Sequence, residues 1–310
     1  MKKQTAYGIL SVFVLLYLAA TFLKPPDPEA MERFGLSALQ LRLLLVSIVI
    51  PIIAVWYMAL YGVVHYYAYA KIVKNSPEGP GFNALALGLT ILFVGLIAGT
   101  VVNLLQQAVE AFFPDLADIQ KISTITRNYI NVIVYFTAFM YMMFGADRLV
   151  RAFNVALNYK KAMFATYLPS IVISGTYIYL LFQNSYRTMS DNPDINPTYY
   201  LSDFMIVFTI VLPYIVSWLL AFSALFNLSL FYQNISGTVY KKSLKYFTLG
   251  LSAVVTLTVF LQVVSQIGST LVSGGLGVIL IFIYFILALI AAGYFLVARG
   301  AKELKKIEEV

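Results

Sequence analysis

Thr100, Asn103 and Gln107 follow one another at spacings of three and four residues, so on a helix they share one face. Gln262, Ser265 and Ser269 repeat that spacing 162 positions later, and Gln106 and Gln266 lie beside the two sets. Amides and hydroxyls set among Val, Leu and Ile are costly in hydrocarbon unless each finds a partner. Two arrangements would satisfy them. They hydrogen-bond between packed helices, which is the plainer reading. Alternatively, they line an outward-facing polar vestibule that takes water or a neutral solute.

Little else in the chain can do chemistry. No Lys, Arg, Asp or Glu falls near the middle of an apolar run. Such groups mark proton relays, ion pathways and counter-ions, so a proton-coupled pump, a voltage sensor and a retinal protein are disfavoured. His65 is the single histidine, which excludes bis-histidine haem and argues against a histidine metal site. Cysteine is absent, which excludes disulfides and thiolate ligands. Gly-Xaa-Ser-Xaa-Gly, HEXXH, a P-loop and paired intramembrane aspartates are all missing. No catalytic residue, metal or cofactor is therefore expected. The loop SDNPDINPTYYLSD at 190–203 carries Asp191, Asn192, Asp194 and Asn196, whose oxygens suit calcium. The same residue types are ordinary turn formers, and the turn reading is preferred.

Composition says what must position these groups. The 310 residues are 61% hydrophobic and 11% charged, against about 25% charged in a soluble domain. That much apolar surface belongs in a bilayer, so the expected class is an all-α integral membrane protein. The formal charge of +7 is scattered over the ends of apolar runs, so nucleic acid is not an expected partner. Eight runs meet the length of a crossing helix, at roughly 6–23, 41–70, 83–112, 129–150, 162–183, 202–233, 245–268 and 275–299. The first is kept as a helix rather than a signal peptide because the repeat described next requires it. With both termini on one side, that side carries fifteen Lys and Arg and the other six, which places both termini in the cytoplasm.

The chain also resembles itself. IVIPIIAVW at 48–56 and IVLPYIVSW at 210–218 align Pro51 with Pro213 and Trp56 with Trp218. The same offset aligns Gly88 with Gly250 across a loop. Tyr135-Phe136 and Tyr284-Phe285 extend the match after a further deletion. This pattern predicts two four-helix repeats, 1–158 and 159–310, in a single membrane domain. Four is even, so the halves are parallel and related by a pseudo-twofold axis along the membrane normal. Pro51 and Pro213 then mark mid-membrane kinks or hinges. Trp56 and Trp218 are expected as interface anchors. Gly88, Gly95, Gly99 and Gly250 are expected to let helices approach, with 95–99 forming a GxxxG. Residues 114–128 are read as a short outer interfacial helix, and ARGAKELKKIEEV as a solvated extension of the last span.

The run LRLLLVSIVIPIIAVWYMALYG at 41–62 resembles multispanning proteins of small-genome candidate-phylum bacteria of the Saccharibacteria type. The resemblance covers two or three spans. It implies a bacterial cell membrane and supplies no activity. The expected function is non-enzymatic: channel-like or transporter passage of a small neutral or apolar solute. The alternative is a structural or sensory subunit that binds other membrane proteins or a second copy of itself. The topology is checked by reporter fusions. Reporters after Lys74, Lys161 or Lys242 are expected to be cytoplasmic, and those near Lys121 or Asp194 external. Reversal of two of them would break the eight-span arrangement.

Overall fold

The computed structural model describes residues 3–23, 31–32, 35, 37–112, 119–153, 159–180, 208, 211–234, 241–271 and 276–308. Its long elements are helices: α1 (Lys3–Leu23), α2 (Ala38–Ile72), α3 (Gly79–Phe112), α4 (Ile119–Ala152), α5 (Tyr159–Leu180), α6 (Leu212–Asn234), α7 (Lys241–Leu271) and α8 (Leu276–Glu308). Among the described residues, seven of them are long and apolar enough to cross a membrane, α5 being the long helix outside that set. This is the architecture of a multi-pass membrane protein. The described part of α5 carries Ser170 and Thr176, which donate to the carbonyls of Thr166 and Val172 at 2.8 Å each. A hydroxyl satisfied within its own helix in this way can face an apolar surrounding.

Local sequence sets the helix ends. Ser37 begins α2 with a capping box. Its hydroxyl accepts from the Gln40 backbone N–H, while the Gln40 side chain accepts from the Ser37 N–H. At the other end, a 3-10 turn over Val73–Asn75 leads into α3. There the Ser76 hydroxyl donates to the Val73 carbonyl at 2.7 Å. A Cβ at Gly79 would run into that same carbonyl, so the tight α2–α3 turn needs glycine.

Packing follows a regular scheme. α3 lies along α4, and α7 along α8. α8 also packs on α2, and α4 on α6. α1 rests on α2, and α5 on α6. Glycine makes the closest approaches. A Cβ on Gly88 would fall 2.8 Å from the Ala138 carbonyl of α4, and one on Gly250 2.6 Å from the Gly293 carbonyl of α8. Further along the same pairs, Gly81 meets Gly145 and Leu149, and Gly300 meets Ser243 and Phe247. Gly62 of α2 lies against Tyr294 of α8.

Several expectations are corrected here. Trp56 and Trp218 are not interface anchors: they are 1% and 0% exposed. Trp56 lies against Phe13 and Tyr17 of α1, and Trp218 stacks on Tyr214. Of the GxxxG pair, Gly95 packs on Val134, but a Cβ on Gly99 meets no described atom within 4 Å. Residues 119–128 belong to one unbroken helix with the fourth span, not to a separate interfacial helix. The charged extension of the last span is not merely solvated, since Ala298, Ala301 and Leu304 are buried against the bundle.

These contacts set an expectation for stability. Gly250→Val should destabilise the protein by about 1–3 kcal/mol, because a branched side chain would meet backbone atoms that cannot retreat. Gly99→Ala should stay within about 0.5 kcal/mol. Thermal unfolding in detergent checks both, and equal effects would contradict the packing described.

Candidate functional site

The polar residues read from sequence lie on α3 and α7. Thr100 and Gln106 are half-buried on α3. The side chains of Asn103, Gln107, Gln262, Ser265 and Gln266 lie outside the described set, as does the loop 190–203. Pro51 sits inside α2 with helix on both sides. Pro213 is the second residue of α6, after a π-helical Val211.

Rings fill the space where the end of α2 meets the starts of α3 and α7. Tyr66 of α2 stacks on Phe247 of α7 at 4.6 Å, and Phe82 of α3 meets both edge-on at 6.3 and 6.0 Å. Tyr69 closes on Phe82 from above at 5.1 Å. All four residues are buried. The described cavities are lined by other residues.

Among the described residues, clefts lie between several helices. One, of about 910 Å³, runs between α2 and α3 beside the start of α1. Its walls include Leu60, Val63 and Phe93, with Lys71 and Lys74 at one end. A smaller one, of about 210 Å³, lies between α6 and α7 and is lined by Ser229, Lys245, Thr248 and Ser252 among others. Tyr67, Asn83 and Thr90 of the large cleft stand 162 positions before Ser229, Lys245 and Ser252 of the small one.

The third cleft, of about 630 Å³, separates the ends of α2 and α8 and is the most highly charged. Tyr61, His65 and Ala68 line it from α2. Phe295, Arg299, Lys302, Glu303, Lys305 and Lys306 line it from α8. Two of its cations are held in place. Lys302 bonds the Tyr61 hydroxyl and lies over the Tyr61 ring at 4.5 Å. Arg299 lies over the Tyr246 ring at 4.4 Å and pairs with Glu303 at 3.3 Å. Glu303 also accepts from Ser243 at 3.3 Å. Tyr61 meets the His65 ring edge-on at 4.6 Å. One carboxylate thus faces four side chains that carry positive charge, before His65 is counted.

Sequence reading missed this cleft because its two halves are about 240 residues apart and each looked ordinary. The basic end of α8 read as a solvated tail. The available signal was the register of α8. Phe295, Arg299, Lys302 and Lys306 continue at steps of three and four, so the basic positions prolong an apolar face instead of starting a new one.

The filled centre sets a test. The Tyr66 hydroxyl is buried with no hydrogen-bond partner among the described residues. Tyr66→Phe is therefore expected to leave thermal stability unchanged or to raise it by up to about 1 kcal/mol. Tyr66→Ala should cost about 3–5 kcal/mol. A clear loss on Tyr66→Phe would show that the hydroxyl is bonded and that the centre holds a polar group. No family model, curated protein or solved structure matches this chain, so its function has to be argued from these residues.

Proposed function

We propose that the chain is a non-conducting membrane subunit, structural or sensory, built from two parallel four-helix repeats with both termini in the cytoplasm of a bacterial cell. The observation that carries this reading is the ring cluster of Tyr66, Phe82 and Phe247, buried side chains that fill the space between the end of α2 and the starts of α3 and α7. The lateral clefts support it too, because they offer surfaces to lipid or to neighbouring membrane proteins and not to a through path.

The two-repeat reading is supported by matching contacts. α3–α4 corresponds to α7–α8, α2–α8 to α6–α4, and α1–α2 to α5–α6. Gly88 and Gly250 occupy equivalent positions. Gly145 of α4 and Gly300 of α8 do so as well, each beside the equivalent point of its partner helix, Gly81 or Ser243. By these contacts Tyr135 corresponds to Ile290 rather than Tyr284, so the second half is shortened by fewer residues than the Tyr-Phe match implies.

Passage of a neutral solute is the second reading. It is supported by the polar side chains at the far ends of α3 and α7, of which Thr100 and Gln106 are half-buried. Reconstitution separates the two. Proteoliposomes should be no more permeable to glycerol, urea or water than protein-free vesicles. Single cysteines replacing Asn103 and Ser265 should stay unlabelled when intact cells receive a membrane-impermeant thiol reagent. Saturable flux together with labelling at both positions would overturn the non-conducting reading in favour of transport.

A further inference from the structure

We propose that the cleft between the ends of α2 and α8 binds an anionic phospholipid. Its phosphate would be held by Arg299, Lys302 and Lys306, with an acyl chain along the face of α8 that leads away from them. The inference goes beyond a subunit role and does not depend on whether the protein conducts.

Depth is the first argument. From Leu276 to Ala298, α8 carries no charged residue. That length is about 34 Å at 1.5 Å per residue, close to the hydrocarbon thickness of about 30 Å. Arg299 therefore comes where hydrocarbon gives way to headgroups. Along the same face, stepping back from Arg299 by four and three residues, Phe295, Ala292, Ala288 and Phe285 are all exposed, Phe295 at 46% and Phe285 at 61%. Phe285 to Arg299 spans about 21 Å, more than the depth of one leaflet. One continuous stripe thus offers an apolar bed and, at headgroup level, fixed cations. Free phosphate would use only the second part. A phospholipid of the adjoining leaflet uses both.

Charge is the second. Basic pockets between membrane helices at the cytoplasmic surface suit anionic headgroups. Here Arg299 and Lys302 are already oriented by Tyr246 and Tyr61, so little side-chain ordering remains to be done on binding.

The third argument is an internal control, and it uses the two-repeat reading. Through the equivalence of Gly145 and Gly300, Arg299 corresponds to Phe144, Lys302 to Asp147 and Lys306 to Arg151. In that half, Asp147 and Arg151 neutralise each other at 3.0 Å. Tyr61 and His65 correspond to Ser223 and Asn227. Arg148, at the position of Glu303, leaves that half one surplus cation, against three from Arg299, Lys302, Lys305 and Lys306 with Glu303 on α8, so the same helix packing does not require the larger excess.

Native mass spectrometry of the full-length protein, given equal amounts of phosphatidylglycerol and phosphatidylcholine with matched acyl chains, tests the proposal. Phosphatidylglycerol should be retained in preference. Arg299→Gln with Lys302→Gln and Lys306→Gln should reduce that retention by roughly tenfold or more. Arg148→Gln with Arg151→Gln should leave it unchanged, and excess inorganic phosphate should not displace the lipid. Equal retention of both lipids, displacement by phosphate, or equal loss in the Arg148 and Arg151 variant would each overturn the proposal. Should the triple variant not fold, a photoactivatable phosphatidylglycerol on the unaltered protein decides the matter. Cross-links within 295–306 support the site, and cross-links confined elsewhere overturn it.

Discussion

Everything in this bundle depends on the approach of backbone to backbone at glycine. Inside a bilayer, lipid tails are as apolar as leucine, so helices gain little by hiding apolar side chains from their surroundings. What remains is dispersion, which needs close contact. Gly88 lets α3 settle on Ala138 and Met142 of α4, and Gly250 lets α7 settle on Gly293 and Val297 of α8. Those two pairs are then joined through α2 and α6, each of which packs on the last helix of the other half. Trp56 and Trp218 are buried as a consequence, since they lie on the helices that make the crossing.

The same constraint explains which parts of the structure can be read from sequence. The helices are legible because a crossing helix must be continuously apolar for about 20 residues, and that leaves a local signal. Gly88, Gly95 and Gly250 are legible as packing residues because only a side chain's absence permits the approach. Gly99 carries the same letter and the same spacing but meets nothing described, so a motif cannot say which of its members faces a partner. Trp56 shows the converse. An indole at the depth of a membrane boundary suits the interface, yet its surroundings are set by α1, whose Phe13 and Tyr17 come from 40 positions away. The cationic cleft was least legible of all, since neither α2 nor α8 contains it alone.

Sequence symmetry and chemical asymmetry meet at this end of the molecule. Under the proposed repeat, corresponding helix pairs carry different surfaces: Asp147 paired with Arg151 on α4, and on α8 a larger excess of cations, of which Arg299 and Lys302 lie over tyrosine rings. The α2–α3 and α6–α7 clefts differ likewise, a large, mostly apolar one beside α1 and a small one lined by hydroxyls.

The crossing of the two halves is the central claim, and the absence of cysteine makes it directly measurable. A Cβ on Gly62 would lie 3.5 Å from the Cβ of Tyr294, within the range a disulfide needs. Under the repeat, Ala224 and Phe139 occupy the equivalent places on α6 and α4. The measurement is oxidative cross-linking of two double variants in membranes, Gly62→Cys with Tyr294→Cys and Ala224→Cys with Phe139→Cys. Both should close within one chain, with similar yield. If the first pair closes and the second does not, or if both stay open while the protein is folded, the crossed two-repeat architecture is wrong.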